Sequence, residues 1–263
     1  MFNIYNEDCL DTMKKMNEIG ERVGVILTSP PYNTGKNGNN IKRSMKNYER
    51  RYDIYLEQKD ENDYIDWTIN VFNHYDLILK KDGCIIYNMS YGNDNPTQMY
   101  LTIAAIIKNT NFTIADTIVW KKKCALPNNT SSNKLTRICE FVFVFCRKNE
   151  YKTFMANKNI KSINERTGQK FYEAINNFIE AKNNDGPNKL NKATYSSDLC
   201  EKLLKIYAKE NEIVYDSFNG TGSTGVACLK LGLNYIGSEL SKEQCQYSIE
   251  RLNKTLEEIK CME

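Results

Sequence analysis

Short runs rich in β-branched and aromatic residues recur at Phe2–Asn6, Val23–Thr28, Cys84–Asn88, Thr113–Trp120, Ile138–Cys146, Ile213–Ser217 and Asn234–Ser238. Bounded by Gly, Pro, Asn or Asp, such runs predict strands. Helical periodicity fills several of the gaps. From Asp63 to Leu79, the residues Ile65, Ile69, Phe72 and Leu79 share one stripe, ahead of a Lys80-Lys81-Asp82-Gly83 turn. From Ser197 to Lys209, Leu199, Leu203, Leu204 and Ile206 do the same. Val226–Leu231 extends a glycine-rich turn into a helix, and Ser241–Ile259 predicts a charged final helix. This alternation predicts an α/β fold, a doubly wound and mostly parallel sheet of seven strands covered on both faces.

Two stretches break the rhythm. Thr34–Glu61 is polar and without period, and residues 121–190 combine Lys/Asn/Ser-rich loops with one strongly apolar strand. Both read as functional loops or insertions on the scaffold. They also hold the positive charge. The whole chain carries only +3, yet Lys121–Lys161 carries +8 and Lys36–Arg51 carries +5. Two basic segments on an otherwise acidic chain suit a polyanion passing one face. Solvated surfaces on a Lys- and Asn-rich chain give the same pattern, so charge alone does not decide.

The 263 residues suffice for a sizeable core without staples. Nine cysteines with no C-x-x-C, most of them among apolar residues, read as reduced thiols used as small hydrophobes. A single histidine, His74, excludes every two-histidine metal site, and no acidic cluster invites a metal, so none is expected. Phe141–Cys146, among the longest apolar runs, is far short of the roughly 18–20 residues of a membrane span. The first residues lack a secretory pattern. A cytoplasmic protein is the expectation.

The segment Asp216-Ser217-Phe218-Asn219-Gly220-Thr221-Gly222-Ser223-Thr224-Gly225 follows a strand and enters a helix. It satisfies G-x-G-x-x-G, and Glu239 closes the next strand at a spacing suited to two ribose hydroxyls. NAD, FAD and S-adenosylmethionine all fit, as does a purely structural turn. Only 24 residues follow Glu239, too few for the remaining strands of a dinucleotide fold. The rest of the sheet must then come from the N-terminal part, a circular permutation.

That part contains Thr28-Ser29-Pro30-Pro31-Tyr32-Asn33 at the end of a buried-strand pattern. Paired prolines lack N–H donors and are expected to present unpaired carbonyls, with Tyr32 at the carboxyl edge of the sheet where ligands bind. The arrangement suits methylation of an exocyclic amino group. Ser29 and the Pro30 carbonyl accept the two amino hydrogens and favour a pyramidal, nucleophilic nitrogen, while Tyr32 stacks on a base removed from the duplex. Positioning and electrostatics carry the rate without a covalent intermediate.

The pairing of T-S-P-P-Y-N with a much later D-S-F-N-G-T-G resembles the DNA amino-methyltransferase family in its permuted β-type motif order, across nearly the whole chain. The resemblance implies a seven-stranded S-adenosylmethionine-dependent methyltransferase fold with one antiparallel strand. It assigns catalysis to Ser29, Pro30, Pro31 and Tyr32. Cofactor contacts fall to Asp216, Phe218, Asn219, Gly220 and Gly222 in the turn, Glu239 at the ribose and Asp8 at the adenine. Thr194, Tyr195 and Ser196 close over the methionine end, although Asn191-Lys192 stands where the family has histidine-proline. By analogy, residues 1–120 and 191–263 form the catalytic domain, and 121–190 supply the last sheet strand and a target-recognition insertion. Lys36, Lys42, Arg43, Lys121, Lys122, Lys123, Lys134 and Arg137 are candidate DNA contacts, individually more suited to phosphates than to bases. His74 and Tyr87–Ser90 receive no catalytic role. The implied partner is double-stranded DNA, with a cognate restriction endonuclease as an optional companion and a monomer or homodimer as the assembly.

Carbon-5 cytosine methylation fails as a reading, because no proline precedes a cysteine. A nicotinamide dehydrogenase is disfavoured by the short C-terminal remainder, and a non-catalytic nucleic-acid module leaves both motifs idle. RNA or protein methylation stays open. In the family, serine before the prolines accompanies cytosine N4 more often, and an aspartate or asparagine usually accompanies adenine N6. The serine favours cytosine N4, with adenine N6 as the alternative.

Overall fold

Six consecutive residues of Val23–Thr28 are buried, which requires cover on both sides of the strand. The computed structural model, which describes residues 1–33, 59–92, 95–125, 132–186, 190–191 and 194–261, supplies it with helices on both faces. The strands are β1 (Phe2–Tyr5), β2 (Val23–Thr28), β3 (Leu79–Met89), β4 (Phe112–Lys122), β5 (Cys139–Arg147), β6 (Ile160–Ile163), β7 (Lys170–Tyr172), β8 (Phe178–Ala181), β9 (Ile213–Asp216) and β10 (Asn234–Ser238). The helices are α1 (Cys9–Glu18), α2 (Glu61–Ile78), α3 (Gln98–Asn109), α4 (Ser197–Tyr207), α5 (Ser223–Lys230) and α6 (Lys242–Lys260).

The main sheet runs β1-β10-β9-β2-β3-β5-β4-β8. Only β5 opposes its neighbours; every other described pairing within this sheet is parallel. All seven expected strands are present, and the C-terminal β9-α5-β10 unit sits beside the N-terminal β1 and β2, as the permutation requires. The sheet has eight strands, not seven. The eighth, β8, lies within the stretch read as aperiodic loop, and β6 and β7 form a separate hairpin there. Four residues with only Ile179 and Ala181 facing inward are too few to set a period against polar surroundings. The expected turn at Lys80–Gly83 is absorbed into β3 as a bulge, with Asp82 at φ +57° and the register against β2 shifting between Val23 and Val25.

The side chains of β2 divide between two core layers. Val25 and Leu27 pack with Leu199 and Leu203 of α4, Cys228 of α5 and Leu252 of α6. Val23 and Ile26 pack with Met13 of α1, Phe72 and Tyr75 of α2 and Ile103 of α3. Phe72 centres the second layer, with edge-on contacts to Tyr75, Tyr87, Phe112 and Phe145 at 5.2–5.9 Å. No helix among the described residues is long and apolar enough to cross a membrane.

Candidate active site

β2 and β9 are direct parallel neighbours, pairing Val25 with Val214 and Ile26 with Tyr215. From β9 the chain passes through α5 to β10 on one side; from β2 it passes through α2 to β3 on the other. The two carboxyl ends diverge, and the gap is the switch point where open α/β sheets bind ligands. A cleft of about 380 Å³ lies there, lined by Ser29 and Pro31 from one exit and by Ser217–Thr221 from the other. Motifs nearly 190 residues apart in the chain thus share one cavity.

The glycine turn is built from the strand end outward. Gly220 and Gly222 adopt φ +51° and +82°, a left-handed region costly for residues with a Cβ. Glu239, immediately after β10, accepts from the Gly220 N–H at 2.7 Å and the Ser241 N–H at 2.9 Å. These bonds lock the turn to the end of β10 and hold the carboxylate in the cleft wall. Asp8 caps α1 through Leu10 N–H at 2.8 Å and lines the cleft beside Glu239. Phe218 and Trp67 of α2, with ring centroids 5.6 Å apart, supply an aromatic side. Two carboxylates for hydroxyl and amino donors, plus an apolar face for a purine, fit S-adenosylmethionine in chemistry and size.

Thr194, Tyr195 and Asn219 also line this cavity. Asp216, Ser196 and Gly222 lie behind the lining. Asp216 is 1% exposed and accepts from Thr28 Oγ1 and Thr224 Oγ1 at 2.7 Å, Phe218 N–H at 3.0 Å and Tyr195 hydroxyl at 3.1 Å. Burial pushes its pKa up, and the four donors oppose that shift. Asp216 therefore ties β2, β9, α5 and the Tyr195 segment together beneath the site. Ser196 caps α4 and donates to the Lys182 carbonyl, while Gly222 starts α5 where a Cβ would lie 3.0 Å from Ser248.

At the other exit, Ser29 Oγ and the Tyr32 hydroxyl are 2.8 Å apart. The Pro31 carbonyl is not unpaired, as the sequence suggested; buried Tyr64 donates to it at 2.9 Å. A strand end packed against α2 brings that donor within reach. The Pro30 carbonyl has no such bond among the described residues. Asn33, at φ +52°, closes the corner with two 3.0 Å bonds to the backbone of Lys59.

Two residues that sequence reasoning passed over complete the corner. Asn88, at the end of β3, donates to the Tyr32 hydroxyl at 2.6 Å, and both Asn88 and Tyr32 donate to Glu140 Oε2, at 2.9 and 3.1 Å. Lys122 pairs with Glu140 Oε1 at 2.5 Å and lies 5.1 Å over the Trp120 ring. Trp67 was also missed; a tryptophan three residues after buried Tyr64 extends that helix face and is the only local signal. Among the proposed DNA contacts, Lys121 pairs with Glu180 at 2.8 Å and Arg137 lies 5.0 Å over the Tyr91 ring. Lys123 and Lys134 are exposed, and Lys36, Lys42 and Arg43 fall outside the described residues.

The comparisons with known proteins converge on this arrangement. The type II methyltransferase M2.MboI of Moraxella bovis is 25% identical over 259 residues, covering 96% of this chain and 88% of the relative. The type II methyltransferase M.HinfI of Haemophilus influenzae is 26% identical over 257 residues, with coverages of 95% and 68%. Among solved structures, the cytosine-N4-specific PvuII DNA methyltransferase superposes with a TM-score of 0.69 at 17% identity, covering 98% of this chain and 92% of that one. The M1.HpyAVI complex with S-adenosylmethionine gives 0.63 at 24%, covering 96% and 100%. The N6/N4 DNA methylase family model matches residues 23–250, which include the serine–proline corner, the glycine turn and the strands between them. The chain belongs to that family, the S-adenosylmethionine-dependent DNA amino-methyltransferases.

Proposed function

We propose that this protein methylates N4 of a cytosine flipped out of duplex DNA. The observation that carries the reading is the shared cleft, in which Ser29 and Pro31 face the wall formed by Gly220 and Glu239. S-adenosylmethionine supplies an electrophilic methyl group when bound. Glu239, Asp8, Phe218 and Trp67 would hold its nucleoside, and Thr194 and Tyr195 its amino-acid end. Ser29 Oγ and the Pro30 carbonyl accept the hydrogens of the target amino group, turning the nitrogen lone pair towards the cleft. Tyr32 supports the base by stacking, which offsets part of the few kcal/mol lost on unstacking. Attack is in line, and the rate comes from alignment and fixed dipoles.

Serine before the prolines, and not a carboxylate, supports cytosine over adenine through the family resemblance. Residues 121–190 complete the sheet with β5 and β8 and, with their basic side chains, serve as the target-recognition region, while 1–120 and 191–263 form the rest of the catalytic body. Nucleoside mass spectrometry of DNA from cells expressing the protein tests the assignment. N4-methylcytosine is expected with the wild type and is lost with Ser29→Ala and Tyr32→Ala, while both variants still bind S-adenosylmethionine. N6-methyladenine in its place would transfer the proposal to adenine, and neither product would refute it.

A further inference from the structure

The bonds around Tyr32 have a direction, and Glu140 dictates it. A carboxylate has no hydrogen to give, so the Tyr32 hydroxyl must donate its single proton to Glu140 Oε2. The same rule fixes Asn88. Its amide nitrogen, not its oxygen, must face Glu140, and the nitrogen then also donates to Tyr32. Asn88 Oδ1 is left buried without a partner among the described residues. Turning the amide to relieve it would set that oxygen against the carboxylate. With its proton committed, the Tyr32 oxygen only accepts from its remaining neighbours. In the 2.8 Å bond between the two hydroxyls, Ser29 is therefore the donor. One Ser29 Oγ lone pair meets the Asn88 amide nitrogen at a long 3.5 Å, and the other is left for the cleft.

We infer that Glu140 is a positioning residue that acts through Tyr32 to hold Ser29 as a hydrogen-bond acceptor for the target amino group. This rests on the proposed function, since an acceptor is useful there only if the incoming group carries N–H. Lys122 belongs to the same device. Held between Glu140 and the Trp120 face, with its side chain 27% exposed, it neutralises the carboxylate, whose side chain is 14% exposed. Lys122, at the end of β4, and Glu140, at the start of β5, lie within the stretch 121–190 proposed to read DNA, so strand ends of that region also set the polarity of the catalytic corner.

The test is a double-mutant cycle read by single-turnover methyl transfer, DNA affinity and S-adenosylmethionine affinity. Glu140→Gln keeps shape but offers Tyr32 a group that can donate or accept, so the direction is no longer imposed. Transfer should slow roughly 10- to 100-fold with both affinities within about threefold of wild type. In a Tyr32→Phe background, where the chain of bonds is already cut, Glu140→Gln should cost less than about twofold. An equal loss in both backgrounds, an unaffected rate, or a loss confined to binding would overturn the inference. Should Glu140→Gln fail to fold, the paired change Glu140→Met with Lys122→Met replaces the ion pair by apolar groups of similar volume, and the same cycle is run with it at saturating DNA and read on the transfer rate alone, because Lys122 is itself a candidate DNA contact. Wild-type protein that methylates neither cytosine nor adenine would remove the functional proposal and this inference together; an active wild type with an indifferent Glu140 removes only the inference.

Discussion

Gly225→Ala sets two effects of opposite sign against each other. Alanine in a helix interior is favoured over glycine by about 1 kcal/mol, partly through the entropy of the unfolded chain. At this position in α5, a Cβ would lie 2.7 Å from Leu252 Cδ2, 2.7 Å from Tyr235 Cε1 and 2.9 Å from Tyr235 Cδ1. The Leu252 methyl can swing aside, but the Tyr235 ring cannot. It is fully buried, and its hydroxyl donates to Asn219 Oδ1 at 2.8 Å. The helix must lift from the sheet or the ring must push on Asn219. Overpacking of this kind costs about 1–3 kcal/mol, and with rigid atoms on one side the upper part of that range applies. The net loss is then about 1–2 kcal/mol, a fall in Tm of roughly 2–8 °C for a chain of this length. Because Asn219 lines the cleft, S-adenosylmethionine affinity should weaken with it. Thermal melts and calorimetric titration read the two effects. A Tm equal to or above wild type would show that α5 does not need the close approach, and the argument would fail.

Glu239→Gln turns an amide nitrogen towards one of the two N–H groups the carboxylate now serves; at about 1.5–3 kcal/mol for a charged hydrogen bond, calorimetry should show cofactor binding weakened by about 10- to 100-fold, and an unchanged Kd would remove Glu239 from the site. S-adenosylmethionine at 100 times its Kd should stabilise the protein by about 2.7 kcal/mol, seen as roughly 5–10 °C in a melt; no shift would contradict a preformed cleft. Tyr195→Phe removes a donor from buried Asp216, and urea denaturation should show a loss of about 1.5–3 kcal/mol. The folded Asp216 already binds its proton more readily than the unfolded chain does. Its contribution therefore becomes less favourable as pH rises from the ordinary carboxylate range through the raised folded value. Losing Tyr195 raises that value further, so the deficit should shrink as pH falls through the raised folded values, above the ordinary carboxylate range; a deficit independent of pH would point to packing alone.

Local signals made most of the scaffold legible. Val23–Thr28 reads as a doubly covered strand because every residue in it is suited to burial, and the glycine turn reads as a strand-to-helix corner because glycine, without a Cβ, adopts φ +51° and +82° at no steric cost. Their order along the chain pointed to a permuted sheet, since the serine–proline corner at Thr28–Asn33 precedes the cofactor turn at Asp216–Gly222. The serine–proline–tyrosine corner was legible for the same reason. Its prolines restrict the backbone wherever it is placed.

Only tertiary structure decided what those motifs touch. Tyr32 and Glu140 are 108 residues apart, and Asn88 and Glu140 are 52 apart. No local pattern marks such pairs, because they meet only after β3 and β5 pair in antiparallel register with Asn88 opposite Val142. The same holds for β8, whose two inward residues gain meaning only against α4, and for Lys122, a surface cation by composition that the fold turns onto a carboxylate. Periodicity and turn chemistry are properties of neighbours in the chain and survive in the sequence. Hydrogen-bond partners and their direction are properties of neighbours in space, and folding alone creates them.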